Sequence, residues 1–523
     1  MPTRLHVPGR SWSRREVLTA GGALALWPLL SAPASAFVKQ KTPLKDYPFK
    51  VGVASGDPTP DGFVIWTRLA PDPLAGGGMQ RTNVEVRWQV AHDEAMTRIA
   101  AEGTAVATAD LAHSVHVEVP GLEPDRWYFY RFTATGEASP VGRARTAPRA
   151  DALAERLRFT FASCQHFETG YFTAYDHMLR ESLDLVVHLG DYIYEGAAKP
   201  KAFRQHVGPH LKTLADYRDR HAQYKTDEHL QAAHAMCPWL VTWDDHEFAN
   251  NCAGAISEKL DEPPEVYLPR RAAAYQAYYE HMPLRRAQLP SGPDCKLYRK
   301  VSYGRLAEFA VLDTRQYRSD QPCGDGNKPP CDQVYDPHST LLGPAQEGWL
   351  YDTLKASSGK WNVLAQQIMM ARVDRKPGDI EGFSMDQWPG YEANRQRLLK
   401  FFGERPQLNP IVIAGDIHCN WANNLRADDR REKSPIVASE FVGTSITSGG
   451  DGGEQRKDTP QVLSENSAVQ FFNDERGYVL CEATPQRWST HYRTMPFVTK
   501  PDAPIQTRAT FVVEPGQPGA HRA

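Results

Sequence analysis

The sequence has no long basic run, and its formal charge is only −3 over 523 residues. It therefore lacks the electrostatic footprint of a nucleic-acid-binding chain. After the N-terminal segment there is no further long apolar run and no basic amphipathic helix, so neither a stable membrane span nor membrane docking is expected, and the mature chain reads as soluble. No low-complexity block dominates, and no internal repeat is evident. The eight cysteines (Cys164, Cys237, Cys252, Cys295, Cys323, Cys331, Cys419 and Cys481) are too dispersed for a small disulfide framework or a zinc ribbon. One pair, Cys323 and Cys331, brackets the tight loop "CGDGNKPPC", which an exported protein can staple as a disulfide.

What is present begins with a targeting signal. Arg14 and Arg15 precede the apolar stretch "AGGALALWPLLSAPASA", which closes on Ala34-Ser35-Ala36. Paired arginines, a short apolar region and a small-residue cleavage site predict a twin-arginine signal over 1–36, cleaved near Ala36. Pro28 and Pro33 break the apolar segment, so it is too short to span a bilayer. The mature chain is expected in the periplasm or outside the cell. Its partner on the way is the twin-arginine export machinery, which carries folded chains and so suits a cofactor loaded before export.

The length calls for two or more domains, and 40 prolines with 38 glycines imply many turns and long ordered loops. Residues 45–148 read as short alternating strands ("FVIWTRLA", "VEVRWQVAHD", "HSVHVEVPGL", "WYFYRFTAT") with Gly, Pro and Asp between them. This predicts a small fibronectin- or immunoglobulin-like β-sandwich, without a cluster of reactive groups. From 155 to 510 the grammar changes to α/β: buried strands such as "LRFTFASC", "LDLVVHLGD", "PWLVTWDDH" and "PIVIAGDIH" alternate with helices such as "QEGWLYDTLKAS" and "GYEANRQRLLKFFG". Residues 511–523, rich in Gly and Pro, are expected to form a loose tail.

Four strand-like runs end in ligand-type residues: Cys164, then Asp191, then Asp244-Asp245-His246, then Asp416-Ile417-His418. Each piece has an ordinary reading on its own. Cys164 can be a small buried hydrophobe, Asp191 a turn or helix cap, Tyr194 a core aromatic with a satisfied hydroxyl, and His418 a hydrogen-bonded core residue. Recurrence over four strands makes chance placement the weaker hypothesis. The carboxyl ends of strands form the crevice of open α/β sheets, and carboxylates, thiol and imidazoles gathered there call for a counter-charge such as a metal ion.

The order of these motifs resembles the calcineurin-like metallophosphoesterases and, more specifically, the PhoD-like alkaline phosphatase/phosphodiesterase family. The likeness rests on "GVASGDPTPDGFVIWTRLAP" at 52–71, "FASCQ" at 161–165, "HLGDYIYE" at 188–195 and "TWDDHEFANN" at 242–251. It continues through "YQAYYEHMP" at 275–283, "DTRQYRSDQPC" at 313–323, "AQQIMMA" at 365–371 and "GDIHCNW" ending at Trp421. The resemblance implies an αββα metallophosphoesterase domain behind the β-sandwich, a ferric iron, one or more calcium ions, and phosphate esters as substrates. Carried over by position, Cys164, Asp191, Tyr194 and His418 correspond to iron ligands. Asp191 would bridge to calcium, with Asn251, Asp416 and Asp386 on the calcium side. Asp245 and His246, the candidate catalytic residues, stand where related enzymes hold an Asn-His pair, and Asp245 either binds metal or positions that histidine. His246, Arg270 and Arg395 are the candidates to meet the phosphoryl oxygens.

Thiolate and phenolate are strong anionic donors suited to a trivalent ion, and calcium favours the oxygens of Asp and Asn. The activity expected is hydrolysis of phosphate monoesters and diesters by metal-activated in-line attack. A phospholipase D-like enzyme on lipid headgroups, a non-catalytic metal- or phosphate-binding protein and a dizinc hydrolase are the alternatives.

Overall fold

The computed structural model describes residues 46–523 apart from 259–261, 377 and 432. The expected signal at 1–36 lies outside the described residues. Two large sheets face each other. The first has ten strands, in the order Gln517–Arg522, Gln506–Glu514, Trp488–Met495, Arg476–Ala483, Leu157–Ala162, Leu185–His188, Trp239–Val241, Val53–Thr59, Gly62–Arg68 and Ser114–Val119. The second has seven, in the order Arg299–Tyr303, Ala307–Val311, Trp361–Ala365, Pro410–Ala414, Ile436–Val442, Asn420–Arg426 and Val469–Asn473. At the centre of each sheet the strands run parallel.

Period-two alternation explains why these central strands are uniformly apolar. Leu185 and Val187 point between the sheets, packing with Phe159, Phe161, Val363, Ile411 and Ile413. Val186 points outward into the cluster beneath the helices Thr173–Met178, Leu214–Lys225, Glu228–Met236 and Pro264–His281. In the second sheet Leu364, Val412 and Ala414 likewise face outward, onto Leu350 and Leu354 of Gly343–Lys355 and Leu398, Leu399 and Phe402 of Glu392–Gly403. Both faces are buried, so no polar alternation survives. The result is the helix–sheet–sheet–helix layering expected from the sequence.

The N-terminal strands form a sandwich that borrows one wall from the ten-stranded sheet. A five-stranded sheet (Ile99–Ala107, Val84–Ala91, Trp127–Ala134, Glu137–Ala138, with Gly142–Arg145) packs through Val86, Val90, Tyr130 and Phe132 onto Val53, Phe63, Ile65 and Val115. Of the strands supplying those last residues, Val53–Thr59 pairs in parallel with Trp239–Val241. The described part of the chain from the sandwich to the C-terminus belongs to one compact unit.

The loose tail expected at 511–523 is instead a hairpin. Gln506–Glu514 and Gln517–Arg522 pair antiparallel at the sheet edge, turning at Gly516 (φ 78°). Phe511, Val513 and Ala520 are buried there, so the alternation outweighs the local Gly and Pro content. The Cys323–Cys331 disulfide is present.

Beneath the first sheet's helices lies a buried polar patch of Lys225, His188, His221, His234, His281 and Arg68. Lys225 Nζ is 3.4 Å from His234 Nε2 and 4.6 Å from the centroid of the Trp66 ring. Arg68 Nη1 is 2.8 Å from His281 Nε2. Burial lowers the Lys225 pKa to about 7 and depresses all four imidazoles. An ammonium whose folded pKa lies below its unfolded value of 10.5 favours the unfolded chain increasingly as pH falls from there toward about 7. The imidazoles act in the same sense below their ordinary 6.5. The melting temperature is therefore expected to climb as pH rises from about 7 toward 10.5, and Lys225→Met to flatten the climb. Parallel pH profiles of melting in the two proteins would assign the climb elsewhere.

Candidate metal centre

The strand Leu157–Ala162 runs out into Ser163-Cys164, and Leu185–His188 runs out through Leu189-Gly190 to Asp191. Trp239–Val241 leads to Asp244 and Asp245, and Pro410–Ala414 leads through Gly415 to Asp416 and His418. Glycine is required before both aspartates. A Cβ at Gly190 would lie 2.4 Å from the backbone nitrogen of Asp244, and one at Gly415 would lie 2.2 Å from Ser163 Oγ. These close approaches let neighbouring strand ends converge, and the loops are then tied together. Cys164 N–H donates to Gly190 O at 3.1 Å, and Ile446 N–H donates to Ser163 O at 3.0 Å.

Strain marks the same positions. Cys164 (φ 59°), Asp191 (54°), Asn251 (48°), Asp416 (66°) and His418 (57°) all adopt the left-handed region that non-glycine residues avoid. Such conformations cost about 1–3 kcal/mol each and persist where the surroundings over-determine them.

Ligand atoms of Cys164, Asp191 and His418 lie within 4.8 Å of one another. Tyr194 joins them: its hydroxyl is 2.9 Å from Asp191 Oδ2 and 3.3 Å from His418 Nε2, and it accepts from Ser448 Oγ at 2.6 Å. A second set, Asp191, Asp245 and His246, shares Asp191 with the first. Asp244, Asp245 and Asp416 make a third. Asp191 thus stands at the junction of an S/N/O set and an oxygen-rich set.

Burial pushes the Cys164 thiol and the Tyr194 phenol well above their ordinary pKa values, and the Asp191 charge adds to both. Asp191 and Asp416 are also raised well above the carboxylate range, chiefly by burial. Asp244 and Asp245 add to each shift; His246 opposes that of Asp191 and Arg315 that of Asp416. A cation among these donors would reverse that balance and draw the protons off. The residues fit such an ion. Asp245 Oδ1 is buried without a hydrogen-bond partner, and the donors supply thiolate, phenolate, imidazole and carboxylate around one point.

Sequence reasoning missed the organiser of the acidic side, Arg315, although it sits inside the "DTRQYRSDQPC" motif. Its fully buried guanidinium bonds Asp244 through Nε, Asp386 at 2.8 Å through Nη1 and Asp416 at 3.2 Å through Nη2, with Asp245 at 3.6 Å. Two further acids were also missed. Glu247 accepts backbone N–H groups from Asp191, Tyr192 and Asp244, which locks two loops together. Glu195 Oε2 is 2.7 Å from His246 Nδ1. Burial alone would depress His246, but Glu195, Asp191 and Asp245 outweigh it and raise its pKa well above 6.5.

Other expected residues fall differently. Asn251 gives its backbone N–H to Asp245 Oδ2 at 2.6 Å. Asp386 lies against Arg315 and Arg318, outside the three converging sets. Arg270 lines a cleft of about 280 Å³ with Tyr194, His246, His166, Lys199 and Asn250. Its guanidinium is already held by Glu262, Tyr217 and Phe248 O. Arg395 is a correction: it is buried within Glu392–Gly403, bonding Met370 O, Glu392 and Asp429, and does not line the cleft. Its helix packs on the outer face of the second sheet, where an arginine completes a buried network rather than meeting a ligand.

A family model described as "PhoD-like phosphatase" matches residues 159–492, and one described as "PhoD-like phosphatase, N-terminal domain" matches 33–148. The chain is 51% identical over 521 residues to alkaline phosphatase D of Bacillus subtilis (strain 168), covering 98% of this chain and 89% of that protein. A solved structure titled "Structure of PhoD" superposes with a TM-score of 0.90 at 53% identity, covering 92% of this chain and 93% of the other.

Removing Arg315 leaves its carboxylates facing one another. Arg315→Met is expected to destabilise the chelator-treated protein by about 3–5 kcal/mol in denaturant unfolding, and an unchanged midpoint would remove Arg315 from its organising role.

Proposed function

Because the chain belongs to the PhoD-like phosphatase family, we propose that its strand-end cluster is a mixed-metal phosphoesterase site with iron on one side and calcium on the other. The chain is an alkaline phosphatase D-type phosphoric ester hydrolase. The observation that carries the metal reading is the convergence of Cys164, Asp191, Tyr194 and His418 beside an acidic set that shares Asp191.

In this reading Cys164, Asp191, Tyr194 and His418 would hold iron(III), Asp191 also belonging to the acidic set. Asn251, Asp416 and Asp386 would serve calcium, and Asp245 would complete or steady that side. When bound, the two ions neutralise phosphoryl charge and lower the pKa of the attacking water. His246 is the catalytic residue. Glu195 Oε2 holds its Nδ1 at 2.7 Å, and Glu195, Asp191 and Asp245 raise its pKa against the effect of burial. It can then hydrogen-bond a phosphoryl oxygen or hand a proton to the departing alkoxide. Lys199 and Arg270 line the same cleft, with Glu195 and Glu258 beside them.

Soluble phosphate monoesters and diesters are the substrates this reading assigns. No helix among the described residues is long and apolar enough to cross a membrane. Export by the twin-arginine route to the periplasm or medium rests on Arg14-Arg15 and the segment ending at Ala36.

Protein purified without chelator is expected to contain iron and to absorb visible light through phenolate-to-iron charge transfer. A colourless, iron-free but active enzyme would overturn the iron assignment. Asp191→Ala is expected to lose both metals and turnover of a chromogenic phosphodiester. His246→Ala is expected to keep its metal content and lose about 10²–10⁴-fold in kcat; undiminished kcat would remove it from the chemistry.

A further inference from the structure

Asn251 stands on the calcium side of the proposed site, and a role for its neighbours there rests on that reading. A carboxamide has a donor end and an acceptor end, and only its oxygen can serve a cation. Asn251 donates through Nδ2 to Asp325 Oδ2 at 3.0 Å. Its backbone carbonyl accepts from Gln321 Nε2 at 2.7 Å, and the same Nε2 is 2.8 Å from Asp386 Oδ1.

Asp325 belongs to the loop that the Cys323–Cys331 disulfide closes. Cys323, Gly324, Asp325 and Gly326 all have positive φ. Gly324 and Gly326 adopt it freely, but Cys323 does not, so that residue depends on the loop's closures. The bridge is one. The other is a short ladder, with Asn327–Lys328 paired to Phe383–Ser384 and Met385 N–H donating to Gly326 O at 3.0 Å. Met385 is the neighbour of Asp386. One stapled loop therefore grips both Asn251 and the segment that carries Asp386.

We infer that Asp325 is a positioning residue for the calcium side: by taking the Nδ2–H of Asn251 it leaves Oδ1 as the end presented to the cation, and the Cys323–Cys331 bridge holds Asp325 in place to do so. Asp325 is outside the three converging ligand sets, so it acts through Asn251. The loop is exposed at Gly324, Gly326, Asn327 and Lys328 and contributes little core; its function is to fix one amide and one strand.

The test is calorimetric titration of the chelator-treated full chain with calcium chloride, with far-UV circular dichroism and iron content measured alongside. Asp325→Ala is expected to bind calcium about 10–100-fold more weakly than the wild type. Asp325→Asn keeps a carbonyl oxygen to accept the Nδ2–H and is expected to recover most of the affinity. The double variant Cys323→Ser/Cys331→Ser, with unchanged circular dichroism and iron content, is expected to weaken calcium in the same sense. Wild-type affinity in Asp325→Ala overturns the inference, and so does an equal loss in the alanine and asparagine variants, which would make the Asp325 charge itself the contributor. Failure of the wild type to take up calcium overturns the calcium reading itself and is recognisable as such, because no variant is then needed to see it.

Discussion

Buried Asp191, Asp244 and Asp245 converge with the partly exposed Asp416, and the repulsion among them is what the surrounding structure answers. Asp386 extends the set through Arg315. Part of the answer is built in: one buried guanidinium spans the acids, and backbone N–H groups are turned onto Glu247 and Asp245. The rest calls for counter-charge, which a bound cation would supply. This is why a thiol, a phenol and two imidazoles at the same edge are better understood as parts of one electrostatic unit than as separate core residues.

The strained left-handed residues belong to the same balance. Left-handed conformations at Cys164, Asp191, Asn251, Asp416 and His418 are unfavourable in the isolated chain. The sheets hold them, because Gly190 and Gly415 bring neighbouring strand ends too close for the loops to relax. Rigid, doubly buried strands supply the stiffness, and the ligand geometry inherits it. Orientation therefore derives from the core between the two sheets, far more than from contacts among the ligands themselves.

Sequence legibility followed from how local each signal is. Strand ends at Asp191, Asp245 and Asp416 were readable because an apolar run followed by a ligand-type residue is a local pattern. Arg315, Glu195 and Glu247 were not, since their meaning comes from partners far along the chain; Glu247 lies 56 residues from Asp191. The helices Leu214–Lys225 and Pro264–His281 bury Arg220, His221, Glu280 and His281 along with their aromatics, so their faces show little polar contrast. Arg395 was misplaced because an arginine on a helix looks the same in sequence whether it meets a phosphate or a buried glutamate. At the C-terminus, Gly and Pro concealed a hairpin whose evidence is only the spacing of Phe511, Val513 and Ala520.

The ten-stranded sheet has a parallel centre whose two sides are closed by opposite ends of the described chain. The strands Val53–Thr59, Gly62–Arg68 and Ser114–Val119 cover one side, and the last hairpin, Gln506–Arg522, the other. An uncovered edge is a template for pairing with another chain. Without the last hairpin, Trp488–Met495 would stand as such an edge. The sheet order thus makes protection of that edge depend on residues far along the chain from the strands that cover the other side.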